Sequence, residues 1–271
     1  MSFKGKVVII TGASSGIGKA CAIEFAKRGA NVVLAARQYV KLCEISQEIH
    51  NQYNVKTLAV QVDVSKEEEC KSLISQTINA MGRIDILVNN AGISMRALLK
   101  DLDIEVLKQV MDINFWGTVY CTKYALTEIL NHEGSIVGVS SIAGFKGLPG
   151  RTGYSASKFA MNGFLESLRV ENLKNNLHVM LACPGFTASN IRNVALNSEA
   201  KPQGESSMQE EKMMTTDEVA VIIVDGISQR KRQLIMTGQG KLTVLMQKFF
   251  PAWLDKLVYN HFKKEKDPLI S

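Results

Sequence analysis

The chain lacks most of what metal or disulfide chemistry needs. Its five cysteines, Cys21, Cys43, Cys70, Cys121 and Cys183, contain no CxxC pair. An odd, scattered set in a chain of this size reads as buried thiols in a reducing compartment. His50, His132 and His178 stand far apart from one another and from paired carboxylates, so no metal site is expected. No stretch approaches the ~20 uninterrupted apolar residues of a spanning helix. The start, Met1-Ser2-Phe3-Lys4-Gly5-Lys6, has no charged-then-apolar leader. The expected location is therefore the cytoplasm. Lysine and arginine are dispersed, without a long basic stripe or zinc-finger spacing, and nucleic acid is not an expected partner. Linkers, internal repeats and low-complexity tracts are missing too. A net charge of +6 still leaves phosphates and anionic surfaces open as partners.

What is present is ordinary globular material: 271 residues, 46% hydrophobic and 21% charged, enough for one buried core. Short apolar runs at 7–11, 31–36, 56–62, 84–88, 135–139, 178–182 and 233–236 predict strands. Helical periodicity fills the gaps at 19–28, 39–52, 101–131, 153–174 and 216–228. Ser65 and Glu68 form a capping-box pattern for a third helix. Runs that are apolar throughout, separated by helices, predict a single-domain α/β Rossmann fold. It is a doubly wound, parallel seven-stranded sheet with helices on both faces. Residues 1–240 are expected to form this domain, and 241–271 an amphipathic extension of it. Residues ~188–214 are polar and irregular, the composition of a lid or a disordered loop.

Thr11-Gly12-Ala13-Ser14-Ser15-Gly16-Ile17-Gly18 joins the first strand to the first helix. Gly12 permits a sharp turn, Gly16 and Gly18 a close approach to a pyrophosphate, and the helix aims its free N–H groups at the phosphates. The missing Gly-Lys-Ser/Thr ending argues against an ATPase or GTPase. Where NAD enzymes carry an acidic residue for the ribose, this chain has Ala36 and then Arg37. An arginine there can grip a 2′-phosphate, with one charge-assisted bond contributing roughly 1.5–3 kcal/mol. NADP(H) is the expected cofactor.

Tyr154 and Lys158 stand at i and i+4, on one helix face. A free tyrosine has a pKa near 10, so acid–base work near pH 7 needs a shift of about 3 units, and a close ammonium is the natural cause. Ser140 and Ser141 end the fifth strand, and one of them is positioned to hold a substrate oxygen while the other caps or turns.

These motifs in this order resemble the short-chain dehydrogenase/reductase family over about residues 5–237. They are Thr11-Gly12-x3-Gly16-x-Gly18, Asp63-Val64, Asn89-Asn90-Ala91-Gly92, Asn114, Ser141, Tyr154-x3-Lys158 and Pro184-Gly185-x-Thr187. The resemblance implies the roles. Tyr154 exchanges a proton with the carbonyl or alcohol oxygen, Lys158 lowers the tyrosine pKa and binds the nicotinamide ribose, and Ser141 orients the carbonyl. Asn114 distorts its helix and holds a water for a proton relay. Gly12, Ser14, Ser15, Gly16, Ile17, Gly18 and Arg37 take the phosphates. Asp63, Val64, Asn90, Ala91 and Gly92 take the adenosine, and Pro184, Gly185 and Thr187 abut the carboxamide. By the same analogy Met95, Phe145, Leu148, Phe186 and the 188–214 loop line an apolar substrate pocket.

Many acyl-carrier-protein ketoreductases of the family end in a Val-Asp-Gly-Gly-type turn, whereas here Met236-Thr237-Gly238-Gln239-Gly240-Lys241 is followed by a long tail. That tail, with Arg230-Lys231-Arg232, is more similar to the 11β-hydroxysteroid dehydrogenase-like, lipid-ketone branch. The expected activity interconverts a hydrophobic ketone or aldehyde and its alcohol. The alternatives are a 3-oxoacyl reductase of fatty-acid type and a non-catalytic NADP-binding sensor. A homodimer or homotetramer is expected. In the tail, Leu242, Leu245, Met246, Phe249, Phe250, Trp253, Leu254, Leu257, Val258 and Phe262 recur near helical spacing around Pro251, flanked by Lys241, Lys248, Lys256, Lys263, Lys264 and Lys266. Two readings fit: a helix covering the pocket or a subunit interface, or a membrane-surface contact through residues 241–266.

Overall fold

The computed structural model describes residues 2–187, 191, 194–204, 213–264 and 268–270. Seven strands form one sheet: β1 (Val7–Thr11), β2 (Asn31–Ala36), β3 (Thr57–Gln61), β4 (Ile86–Asn89), β5 (Ser135–Val139), β6 (His178–Cys183) and β7 (Gln233–Ile235). Their order is β3-β2-β1-β4-β5-β6-β7, and every pair is parallel. The chain moves outward from β1 to β3, returns to the centre at β4, and moves outward the other way. The crossing between β1 and β4 is where a doubly wound sheet opens a crevice at the strand carboxyl ends.

Alternation within each strand feeds two cores. Val8 and Ile10 of β1 enter one apolar cluster, and Val7 and Ile9 enter the other. Helices α1 (Gly16–Lys27), α2 (Tyr39–Tyr53) and α7 (Thr216–Ser228) close the first face. Helices α3 (Glu67–Met81), α5 (Gly117–Asn131) and α6 (Thr152–Glu171) close the second. This is why the strands carry no polar alternation: both faces are covered, and each fully buried Val, Leu or Ile contributes about 1.5–3 kcal/mol.

Three local expectations change. Ser65 does not cap α3: its hydroxyl and backbone N–H both bond Asp63 Oδ1, at 2.8 and 3.0 Å, and Lys66 sits at the N-cap without a side-chain bond. An acceptor two residues upstream outcompetes the helix for that hydroxyl. The helical stretch 101–131 divides into α4 (Ile104–Met111), a π turn (Asp112–Trp116) and α5. The thiols are not uniformly buried, since Cys43 is exposed on α2 while Cys21, Cys70, Cys121 and Cys183 are covered. By contrast α7 opens on a complete capping box between Thr215 and Glu218.

Beyond β7 the chain forms α8 (Gly238–Phe249) and α9 (Pro251–Phe262), with Pro251 at the first turn of α9. Among the described residues no helix is long and apolar enough to cross a membrane. Parts of the irregular 188–214 segment, and Lys266 of the tail, lie outside the described residues.

Candidate active site

A cleft opens at the carboxyl ends of β1, β4, β5 and β6. The loop after β1 forms one wall. Gly12 has φ +67° and Gly16 φ +55°, a region that L side chains rarely adopt. A Cβ on Gly18 would run into the Gly12 carbonyl and the Asn90 amide, so this glycine lets the helix close on its own loop. Ser15 stands at the N-cap of α1 in extended conformation without a side-chain bond, and the first turn carries no acid. The leading N–H groups of α1 therefore keep their capacity for an anion.

Thr11 ties the loop to the next strand. Its hydroxyl accepts the backbone N–H groups of Asn90 and Ala91, both at 3.0 Å, and the Asn90 amide donates to Thr11 O at 2.8 Å. Gly92 lies beside Asn114 and Lys158; a Cβ there would stand 3.1 Å from Asn114 Oδ1. Arg37 is exposed just past β2, and Asp63 and Val64 follow β3. Val64 packs against Gly117, where a Cβ would collide with it.

The π turn has a visible cause. The fully buried Asn114 side chain accepts the Ile93 N–H at 2.8 Å and donates to Ile93 O and Ser157 Oγ, both at 2.9 Å. Binding another segment's backbone on both sides draws the helix off its regular ladder. Ser157 also donates to Tyr154 O at 2.8 Å, so Asn114 is joined to α6 between Tyr154 and Lys158. Sequence reading did not single out Ser157.

Tyr154 and Lys158 share the cleft-facing side of α6, with Lys158 Nζ 5.8 Å from the Tyr154 ring centre. Lys158 Nζ donates to Val139 O at 2.9 Å. Burial pulls its pKa down to about 8, with Cys183 acting in the opposite direction. The Tyr154 phenol stands above its ordinary value because burial disfavours the phenolate; the hydrogen bond with Ser141 and the charge of Arg151 pull it back. Arg151, three residues earlier, is one cation that eases this tyrosine. One of the three ammonium protons of Lys158 is held by the Val139 carbonyl. Arg151 also donates to Ser94 Oγ at 3.2 Å.

Both serines of the pair at the end of β5 hold structure. Ser140 donates to Asn162 Oδ1 at 2.7 Å, while Ser141 accepts the Ala143 N–H at 3.1 Å and meets Tyr154. Ser141, Tyr154, Lys158, Asn90, Gly92, Ile17, Pro184, Gly185, Thr187, Leu148 and Phe186 come together around the cleft. Two expected pocket residues do not line it. Met95 is fully buried in a small cluster beneath Tyr154, and Phe145 packs against the second core. Ser94, Arg151 and Ile191 line it instead. Gly185 packs on Thr237, the N-cap of α8, which brings the tail against the far wall. Among the described residues no group of three or more His, Cys, Asp or Glu could hold a metal.

A family model described as short chain dehydrogenase matches residues 6–200. The 11-beta-hydroxysteroid dehydrogenase A of Sesamum indicum is 37% identical over 264 residues, spanning 94% of this chain and 76% of that protein. Its counterpart from Arachis hypogaea is 38% identical over 253 residues, 92% of this chain and 69% of that one. A short chain dehydrogenase/reductase from Burkholderia phymatum, solved in complex with NAD, superposes with a TM-score of 0.83 at 23% identity over 93% of this chain and 96% of its own, which shows the same fold. The chain belongs to the short-chain dehydrogenase/reductase family of oxidoreductases, in its 11-beta-hydroxysteroid dehydrogenase-like branch.

Proposed function

We propose that this protein interconverts a hydrophobic ketone or aldehyde and its alcohol, with NADP(H) as cofactor and Tyr154 as the proton donor and acceptor. The observation that carries the reading is the convergence of Tyr154, Ser141 and Lys158 on one cleft beside the uncapped start of α1. The residues present fit a nicotinamide dinucleotide: the open N–H groups at the start of α1 would take the pyrophosphate, glycine conformations shape the loop, and the exposed Arg37 after β2 would take a 2′-phosphate. A bound nicotinamide supplies or receives the hydride. The other roles belong to the chain. Ser141 holds the carbonyl oxygen beside the phenol, and Tyr154, kept protonated by its buried setting, delivers the proton as charge develops on that oxygen. Lys158 holds the ribose and restores the tyrosine proton, and Asn114 continues that path. Leu148, Phe186 and Ile191 give the substrate an apolar bed. Names of relatives such as 11-beta-hydroxysteroid dehydrogenase support a lipophilic substrate.

Tyr154→Phe is expected to lower turnover by about 10²–10⁴ while leaving cofactor affinity intact; unchanged turnover sinks the mechanism. NADPH should bind about ten- to a hundredfold more tightly than NADH, and Arg37→Asp should erase the difference. Equal affinities in the wild-type protein, read by nucleotide fluorescence, discard the NADP assignment.

A further inference from the structure

The segment 146–151, between the short turn after β5 and the start of α6, is a wall with two sides. Leu148 and Arg151 line the catalytic cleft with Ser141, Tyr154 and Lys158. Lys146 and Pro149 face the tail instead, across a groove shared with Asp255 and Val258 of α9. Arg151 reaches both sides, for it also borders a small cavity lined by Arg96, Phe262 and Leu269. The wall belongs to no helix or strand, so its shape has to be fixed from outside.

Two contacts from the tail do this. The buried Lys146 amine pairs with Asp255, the only acid between residues 237 and 264. Removing that carboxylate takes the partner from a buried ammonium. Gly150, at φ +68°, leaves open the spot where Leu269 sits: a Cβ there would stand 2.5 Å from Leu269 Cδ1. The Gly150 carbonyl accepts the Ala97 N–H at 3.0 Å, so the residue is held from both sides. We propose that Asp255 and Leu269 are positioning residues for the reaction: by fixing the wall from behind, they set Leu148 against the substrate and Arg151 beside Tyr154. Tyr154 faces Ser141 from the end of β5, Cys183 from the end of β6, Lys158 from its own helix and Arg151 from the N-cap of that helix. The charge of Arg151 draws the phenol pKa down against the effect of burial. An Arg151 that drifts away therefore lets the phenol pKa rise. The effect on turnover rests on the catalytic reading above, whereas the grip on the wall does not.

Asp255→Asn and Leu269→Ala are to be made in the full chain, with Asp255→Glu as the conservative partner of the first. In Asp255→Asn and in Leu269→Ala, amide exchange should quicken about tenfold or more across 146–151 and stay unchanged in β1 and β4. With a lipophilic ketone and NADPH, KM should rise about tenfold while the plateau kcat stays within about twofold. The alkaline limb of the reduction profile should move upward, and Leu269→Ala should move it no further once Arg151→Met is in place. Asp255→Glu should bring exchange, KM and the limb back to wild-type values. Unchanged exchange at 146–151 in both variants overturns the proposal. Quickened exchange with KM and the limb unmoved does so too, since the contacts are then structural only, as does a limb that Leu269→Ala moves equally in the Arg151→Met background. A wild-type protein that turns over no ketone strikes the catalytic reading instead, and exchange then decides whether the tail holds the wall. Either variant suffices if the other fails to fold.

Discussion

At the amino ends of the strands, the buried Asp85 carboxylate accepts the Val7 N–H at 2.9 Å, Lys6 Nζ at 2.9 Å and Arg83 at 2.6 and 2.8 Å. Nearby, His178 bridges Ser135 Oγ and Lys231 O, at 3.0 and 2.9 Å. At the carboxyl ends of the same strands, the buried Lys158 ammonium has a single acceptor among the described residues, the Val139 carbonyl. Burial pushes the Asp85 carboxyl up, but Arg83, Lys6 and the Val7 N–H outweigh it and hold the group below its usual range. Burial goes unopposed enough at Lys158 to lower it to about 8. One edge of the sheet satisfies its charges; the other leaves them short of partners, where a substrate and cofactor can use them.

The sharpest way to break this contrast is Lys158→Met. Turnover should fall by about 10²–10⁴, yet the protein should melt at an equal or higher temperature. A lysine moved from 10.5 to about 8 carries a folded-state cost on the order of 3 kcal/mol at neutral pH, partly offset by its bond to Val139. A lower melting temperature in calorimetry would make Lys158 a structural residue and erase the distinction. Asp85→Ala should do the reverse. Losing charge-assisted bonds that include a buried N–H should destabilise by about 2–3 kcal/mol in urea unfolding, with turnover per folded molecule unchanged.

Smaller effects follow from titration. Burial lowers the His178 pKa, with the Lys231 bond opposing and the charges of Arg230 and Arg169 adding to the shift. Its stabilising contribution is therefore complete above the unfolded value of about 6.5 and is lost as pH falls below it, by at most about 1.4 kcal/mol per unit. The difference in pH slope between wild type and His178→Gln between pH 7 and 5 measures it; parallel slopes refute it. Least in size, Arg151→Met removes a charge that lowers the Tyr154 pKa, so the alkaline limb of the pH–rate profile should move upward. An unmoved limb would release Arg151 from any part in the chemistry.

The fold was legible because both faces of the sheet are covered: strands such as Val7–Thr11 and Asn31–Ala36 are apolar throughout, and this signal survives without tertiary knowledge. The cleft residues were legible through spacing along one helix or one loop, as with Tyr154 and Lys158. What escaped depended on contacts between distant segments. The π turn follows from Asn114 bonding to Ile93, twenty-one residues away. Met95 looked like a pocket residue, but Gly153, lacking a side chain, lets it sink beneath α6. Arg151 stands three residues before Tyr154, a helical spacing that could have marked it, but it lies at the N-cap, where periodicity carries little signal. The failed cap at Ser65 turned on a competing acceptor at Asp63, visible only as geometry.

The meeting of β1 with β4 has a consequence for how the chain reaches this state. The pair is sealed at one end by Asp85 on Val7 and at the other by Thr11 on Asn90 and Ala91, bonds that span 78 to 80 residues. On a ribosome, one edge of β1 stays open until Ile86 has been made, with Val8, Ile9 and Ile10 ready to pair with any strand that arrives first. The two seals add bonds that the correct partner alone can complete, so they select β4 over a wrong neighbour at the slowest, least local step of assembly.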